Sequence, residues 1–427
     1  MIVACVVIVI TACNVTRSLP QGEYLLYDVR VEADKSTPRD ERITLDKDGL
    51  ETYVRQSPNK RLLGMDFYVW VYEKANPLKT NWWNNIKRKV GEEPVILDSA
   101  LTQKSVDNLQ TYLHTRGYFS SHVECVIDTT RHKRRADVIY KITQGEPTRI
   151  DELSYDFKDK SVRNIILADS AETLLRRGTI LDITRLDDER NRIASALNNC
   201  GYFDFTVNNI SYEVDTIGLG VDAKVKMIVH PTLVRYNELG EQVLEDNSVY
   251  RLRNINVYPT YDPMLRSTMG FKSDAQIDTT YYYGLTIISD RNATPKLRNA
   301  VLRRTISLYP NYIYNAKQIT HTNKELMSLG FFRNSKINFE RVPNEKSYVS
   351  YVGKQGNEDV LVNTSEQYLD CNIFAAPALK QSLKAEVEAS STSTFLGLSA
   401  TLGYSNTNIF RGAEAFDIAA RFGFEFM

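Results

Sequence analysis

The sequence carries no excess of either charge: 53 Lys and Arg offset 53 Asp and Glu. A chain that tracks a phosphate backbone usually carries a basic surplus, so nucleic acid is not an expected partner. No run of 18 apolar residues occurs, which excludes a transmembrane helix. Metal and nucleotide signatures are missing as well. His114, His122, His132, His230 and His321 form no HExxH or similar pairing, and neither GxGxxG nor a P-loop is present. Gly397-Leu398-Ser399-Ala400-Thr401 fails GxSxG at its last position and lies in a strand-like stretch. No pair of carboxylates stands out, so no catalytic residue, metal or cofactor is expected, and the chain is not read as an enzyme. Cysteine is scarce at five residues, none in CxxC. Beyond Cys5 and Cys13, the odd set Cys125, Cys200 and Cys371 cannot complete a disulfide framework, and buried free thiols are the expectation.

With 427 residues, the chain has room for about three domains. Hydrophobic residues at 42% and charged residues at 25% are ordinary for globular proteins, and 25 Tyr suit β-rich modules. Ile2 to Ala12 is an apolar run of signal-peptide length. It ends Ile10-Thr11-Ala12-Cys13, which resembles a bacterial lipobox: small residues beside the cut, then a Cys whose thiol takes diacylglycerol. Two or more acyl chains anchor a protein stably, at about 0.8 kcal/mol per buried CH₂. Residues 1–12 are therefore read as a lipoprotein signal, Cys13 as the lipid attachment site and 13–24 as a tether. An ordinary secretory signal or a buried strand are the alternatives, and no Lys or Arg precedes the run.

Three copies of one unit follow. Arg116-Gly117-Tyr118-Phe119, Cys200-Gly201-Tyr202-Phe203 and Leu329-Gly330-Phe331-Phe332 share Gly-aromatic-Phe. Leu113, Leu197 and Leu326 stand four residues before the Gly, and Leu109 and Ile193 eight before it in the first two copies. This spacing predicts a helix capped by a left-handed Gly. Asp98, Asp182 and Asn311, nineteen residues before each Gly, suit turns or N-caps. The repeat motif is thus Gly117 and Phe119, Gly201 and Phe203, Gly330 and Phe332. Alternation predicts strands after each motif, with Val123, Cys125 and Ile127, then Ile210, Tyr212 and Val214, then Ile337 and Phe339 on the inner faces. A further strand follows in each copy, through Val138/Tyr140/Ile142, Val225/Met227/Val229 and Leu369/Cys371/Ile373. Opening strands run through Tyr27/Val29/Val31, Leu153/Tyr155/Phe157 and Ile255/Val257. The class is α+β, strand-helix-helix-strand-strand three times, over residues 25–148, 149–232 and 249–376. The first copy carries an insertion from Phe67 to Asn85 with Trp70, Trp82 and Trp83; the third carries insertions over Pro259 to Asp290 and Pro343 to Glu366.

This order, with Gly-Tyr-Phe at the end of the second helix, resembles the POTRA domain. Asn59 to Asn76, Gly91 to Asp98, the lipobox Cys and Leu19 to Leu26 together resemble TamL, the lipoprotein counterpart of TamA in the BamA/TamA superfamily. The resemblance covers essentially the whole chain. It implies three POTRA modules with strand order 1-3-2, periplasmic and anchored to the outer membrane. It also implies a role in assembling or translocating nascent outer-membrane proteins, with outer-membrane lipid and a TamB-like inner-membrane-anchored protein as partners. A two-partner-secretion pore and a lipid-anchored periplasmic scaffold are the rival functions.

From Leu379 the texture changes. Leu383, Ala385, Val387 and Ala389 alternate with Lys384, Glu386 and Glu388. Leu396 to Tyr404 and Phe416 to Phe426 alternate likewise. One apolar and one polar or small face over about ten residues is the pattern of a membrane-spanning β-strand. Residues 379–427 are read as the first strands of an outer-membrane barrel, truncated or continued downstream, since three strands cannot close; a soluble antiparallel sheet is the alternative. The expected client site is a sheet edge, Lys336, Ile337, Asn338, Phe339, Glu340 and Arg341, with Asn209 to Asp215 as second choice.

Overall fold

The computed structural model describes residues 19–33, 47–62, 64–75, 81–216, 221–236, 238–265, 276–294, 296–342, 347–355, 358–391 and 396–426. Residues 1–12, expected to be a signal, and the expected lipid site Cys13 lie outside them. In chain order the strands are β1 (Leu25–Ala33), β2 (His122–Asp128), β3 (Arg135–Thr143), β4 (Arg149–Phe157), β5 (Ile210–Asp215), β6 (Asp222–Val229), β7 (Thr232–Tyr236), β8 (Gln242–Glu245) and β9 (Val249–Tyr258). They continue with β10 (Ile277–Tyr282), β11 (Leu285–Asp290), β12 (Phe332–Arg341), β13 (Ser347–Gln355), β14 (Glu358–Pro377), β15 (Gln381–Ser391), β16 (Leu396–Asn406) and β17 (Phe416–Phe426). The helices are α1 (Lys47–Glu51), α2 (Phe67–Glu73), α3 (Trp82–Val90), α4 (Ser99–Thr115), α5 (Arg163–Ala168), α6 (Ile183–Asn199), α7 (Asn299–Thr305) and α8 (Ala316–Ser328). The mixture is α+β. Two compact units divide it: 1–154 with 174–188 and 213–226, and 155–173 with 189–212 and 227–427.

Three sheets share one strand order. The first is β1-β3-β2, the second β4-β6-β5, and the third has β9-β14-β12 at its heart, widened by β11 and β10 beyond β9. In the first and third, the opening strand runs parallel to the last one and the middle one antiparallel to it. The 1-3-2 order implied by the resemblance is therefore present three times. Each opening strand also makes a one-residue antiparallel bridge to the segment before the second helix: Leu25 to Ile96, Arg149 to Ile180, and Arg251 to Ile313. That bridge adds one pairing near the start of the opening strand, a feature the sequence pattern does not announce.

The second helix of each copy forms for local reasons. Asp98 caps α4, its carboxylate accepting from the amides of Ala100 and Leu101 at 2.8 and 3.3 Å. Leu109 and Leu113, one turn apart, are fully buried against Leu26, Val123, Val138, Tyr140 and Ile142. The helix closes with the Gly117 amide donating to the His114 carbonyl and the Tyr118 amide to that of Leu113, each at 3.0 Å. This double bond requires a left-handed residue, and Gly117 has φ +89°. Gly201 and Gly330 take φ +105° and +64°. Asp182 likewise caps α6 through the Thr184 amide at 2.8 Å. Asn311 does not cap α8: it is a left-handed turn residue at φ +66°, and Asn315 accepts from the Gln318 amide at 3.0 Å instead.

Other departures have physical causes. A bulge between Leu26 and Asp28 shifts the parity of β1. Leu26 enters the core, and Tyr27 instead packs under the guanidinium groups of Arg61 and Arg135, 4.3 and 4.9 Å from its centroid. In the repeat motif the middle aromatic is the core anchor: Tyr118, Tyr202 and Phe331 are buried, whereas Phe119 is exposed. Ile127 and Val214 are exposed at the ends of their strands. The insertions of the third copy are a β10-β11 hairpin and β13 paired to the first half of the 20-residue β14. A β7-β8 hairpin stands between the second and third copies.

The thiols divide by burial. Cys371 is completely buried, and burial pushes its thiol up to about 12. Burial also raises that of half-buried Cys125. Cys200 is exposed, against expectation, because it sits on the capping turn before Gly201. Since the thiolate is the nucleophile, iodoacetamide at pH 8 should alkylate Cys200 first and spare Cys371 until the chain unfolds. Peptide mapping of the native protein that found Cys371 modified as fast as Cys200 would contradict this burial.

Candidate client-pairing edge and membrane-facing sheet

The residues Lys336 to Arg341 lie on β12, the terminal strand of the third sheet. They pair with Phe374 to Leu369 of β14 on one side. Among the described residues no strand pairs with the other side. The described part of the insertion, β13, pairs with β14 along 358–366, beyond the stretch 369–377 that holds β12. Ile337 and Phe339 turn toward the core, while Lys336 and Glu340 are exposed and Asn338 is half-buried. β12 therefore presents unpaired backbone above a solvated side-chain face. β2 and β5 are also terminal strands of their sheets.

The far end of β12 is braced by the second Gly-aromatic-Phe motif. Phe203 stands edge-on to Tyr250, Tyr314 and Phe339, at ring-centroid distances of 5.6, 5.2 and 5.4 Å. Such edge contacts contribute about 0.5–1.5 kcal/mol each beyond area burial. Asp204 accepts from both the Arg341 guanidinium and the Tyr250 hydroxyl. The Asp204 carboxylate raises the Arg341 pKa, and burial, reinforced by Asp204, raises that of the Tyr250 phenol. The sequence pattern marks Phe203 as a repeat position, and Arg341 belongs to the expected client edge. Their shared role in fixing β12, and that of Asp204, carries no local signal, because Phe203 and Asp204 lie more than a hundred residues before Phe339 and Arg341.

A fully buried carboxylate, Asp159, carries no signal in the sequence pattern. Asp159 accepts from the backbone and side chain of Ser161 at 2.8 and 2.6 Å, and from the backbone and side chain of Asn247 at 2.9 and 2.6 Å. It ties the end of β4 to the chain entering β9.

β15, β16 and β17 form a separate antiparallel sheet of 11-residue strands. The register aligns Leu383, Tyr404 and Ile418, then Ala385, Leu402 and Ala420, then Val387, Ala400 and Phe422, then Ala389, Leu398 and Phe424. This apolar face is uncovered: Leu383 is 86%, Val387 78% and Phe424 68% exposed. The opposite face is polar or small, with Arg421 donating to Glu388 at 3.2 Å and Ser399 at 3.1 Å across the strands. Eleven residues at about 3.4 Å rise to about 37 Å, and a tilt of about 45° brings the height near the roughly 25 Å apolar band of an outer-membrane barrel.

The turn after β16 fastens this sheet to the third copy. The Asn408 side chain donates to the Lys296 carbonyl at 2.8 Å, and the Arg298 amide to that of Arg411 at 2.9 Å. The Thr407 amide donates to the Lys380 carbonyl at 3.1 Å. Glu414 folds the turn by accepting from the Phe410 and Gly412 amides, both at 3.1 Å. Among the described residues no helix is long and apolar enough to cross a membrane, which says nothing of strands. Nor does any cluster of His, Cys, Asp and Glu among them offer a metal site.

No family model matches the chain, and no curated protein does. Solved structures do. A crystal structure of POTRA domains 3–5 of Haemophilus influenzae BamA aligns with 84% of this chain and 99% of its own, at 11% identity and TM-score 0.36. POTRA domains 1–3 of Omp85 from Anabaena align with 84% and 98%, at 10% identity and TM-score 0.26. CdiB from Acinetobacter baumannii aligns with 65% of this chain and 39% of its own, at 9% identity and TM-score 0.27.

Proposed function

We propose that the chain is the periplasmic, POTRA-bearing portion of a lipid-anchored outer-membrane assembly or translocation factor of the BamA/TamA superfamily. It acts without catalysis or cofactor, and its clients are nascent outer-membrane proteins. The observation that carries this reading is the conjunction, within one compact unit, of an unpaired sheet edge at β12 and an amphipathic β-sheet with an uncovered apolar face. An open edge can bind an extended chain through main-chain hydrogen bonds, which selects strand propensity rather than sequence. Strands β15–β17 would then begin the barrel that receives it, with burial in lipid as the driving force.

A photocrosslinking residue at Asn338 tests the edge in cells carrying the full-length protein. Adducts to outer-membrane proteins are expected, and Asn338→Pro with the crosslinker moved to Lys336 should abolish them, since Pro removes a strand amide and blocks close approach. Asn338→Ser should leave them unchanged. Adducts confined to Asn209–Asp215 would move the site to β5; adducts at neither strand would refute client pairing by these edges.

A further inference from the structure

The insertion of the first copy carries a helix turned inside out. In α3, at about 100° per residue, Trp82, Trp83, Ile86 and Val90 share one face. A helix of a globular protein buries such a face. Here Trp82 is 65%, Trp83 67% and Val90 44% exposed, while Asn84 on the opposite side is buried. The two indoles stand edge to face, 4.5 Å between centroids. Lys87 and Lys89 flank the apolar face on either side, Arg88 lies behind, and all three are exposed. Between Glu73 and Glu92 the sequence holds no acidic residue.

The position of this helix matters as much as its composition. Leu19 is buried in a small cluster with Leu25 and with Val69 of α2, beside Trp70 and Ile96. The Arg134 guanidinium holds the Leu19 carbonyl at 2.9 Å. α2 in turn carries α3: the Glu92 amide donates to the Tyr68 carbonyl at 3.1 Å, and Gly91 lies so close that a Cβ there would stand 2.6 Å from the Tyr72 backbone. Leu19, the first described residue, stands six residues after Cys13 in the sequence. Six extended residues reach about 20 Å. A diacylated Cys13 would hold α3 within a short distance of the leaflet that contains its acyl chains.

We infer that α3 is an interfacial helix that lies on the anionic lipid surface next to the Cys13 anchor, with Trp82, Trp83, Ile86 and Val90 inserted and Lys87 and Lys89 at the phosphates. Exposed tryptophans between flanking lysines match the apolar and headgroup layers of that surface, and the all-cationic stretch matches its charge. The inference rests on lipid attachment at Cys13. It gives the first copy a fixed orientation on the membrane rather than a free tether.

The test uses the full chain in a Trp70→Phe background, so that only Trp82 and Trp83 emit. The protein is reconstituted in phosphatidylcholine vesicles with and without one part in three phosphatidylglycerol, each with brominated acyl chains. The expected result is a blue-shifted emission, quenched by about half in the anionic vesicles, and about tenfold less quenching for Lys87→Glu with Arg88→Glu and Lys89→Glu. Metabolic palmitate labelling of wild type and Cys13→Ala is read in parallel. Labelled Cys13 with unquenched tryptophans would overturn the helix assignment and leave the lipoprotein reading standing, pointing to a protein partner for this face. Equal labelling of wild type and Cys13→Ala would remove the anchor and, with it, the inference. Quenching unaffected by the triple charge reversal would also overturn the role of the cations.

Discussion

Gly117→Val and Gly201→Val should loosen their helices far more than Gly330→Val. All three glycines hold a positive φ, which costs an L-residue about 1–2 kcal/mol, more when it is β-branched. Only the first two are also pressed against residues of the following copy. A Cβ on Gly117 would lie 2.5 Å from the Leu181 carbonyl oxygen and 2.8 Å from the Ile180 side chain. A Cβ on Gly201 would lie 2.7 Å from Ile313 and 2.8 Å from Val249. Nothing stands within 4 Å of one on Gly330. Overpacking adds about 1–3 kcal/mol, for a total of about 2–5 kcal/mol at Gly117 and Gly201. Their carbonyls also matter, accepting from the amides of Thr148 and Tyr250 at 2.8 and 2.9 Å. Hydrogen exchange of the intact chain reads each helix separately, which a single melting curve of several sheets would not. Peptides from 99–118 in Gly117→Val, and from 183–203 in Gly201→Val, should exchange at least about 30-fold faster, since 1.4 kcal/mol is a factor of ten. A response of the same size at Gly330 would mean that φ alone matters and that the glycines do not serve the contact with the next copy.

What the sequence disclosed and what it hid follow the range of each interaction. The capping glycines, the Leu spacing before them and the alternation of the closing strands are local signals, and each has its counterpart in α4, α6, α8, β3, β6 and β14. The 1-3-2 order came from resemblance rather than from periodicity. Parity failed where a bulge intervened, at Tyr27. The bridges at Ile96, Ile180 and Ile313 were hidden because they are single pairings with no periodicity of their own. At the candidate site, β12 was legible as an alternating strand, and its edge position follows from the 1-3-2 order. The brace by Phe203 and Asp204 was hidden, because it joins two copies of the repeat. The common face of Trp82, Trp83, Ile86 and Val90 is legible on a helical wheel, but such a face is ordinarily buried, so neither its exposure nor the burial of Asn84 on the other side could be read from the sequence.

Ala400→Arg should prevent stable membrane integration of the full-length protein, while Thr401→Arg next to it should be tolerated. Ala400 lies at the middle of the central strand β16, between Val387 and Phe422, on the uncovered apolar face. Thr401 points the other way and stands in register between Glu386 and Arg421, on the face whose polar groups bond one another. If the apolar face meets lipid, a midplane Arg costs about 2–4 kcal/mol, enough for a loss of about 30-fold or more in the integrated fraction. On the polar face the same side chain finds Glu386 and water. Adjacent positions share backbone, propensity and strand pairing, so the comparison isolates which face is in lipid. The measurement is the share of protein that resists urea extraction from outer membranes. Equal tolerance at both positions would identify the sheet as a water-exposed one and favour a periplasmic scaffold. Equal loss would trace to strand disruption rather than lipid. Only the asymmetric outcome requires a bilayer against Leu383, Val387, Phe422 and Phe424, and so separates a membrane-inserted sheet from that of a periplasmic scaffold.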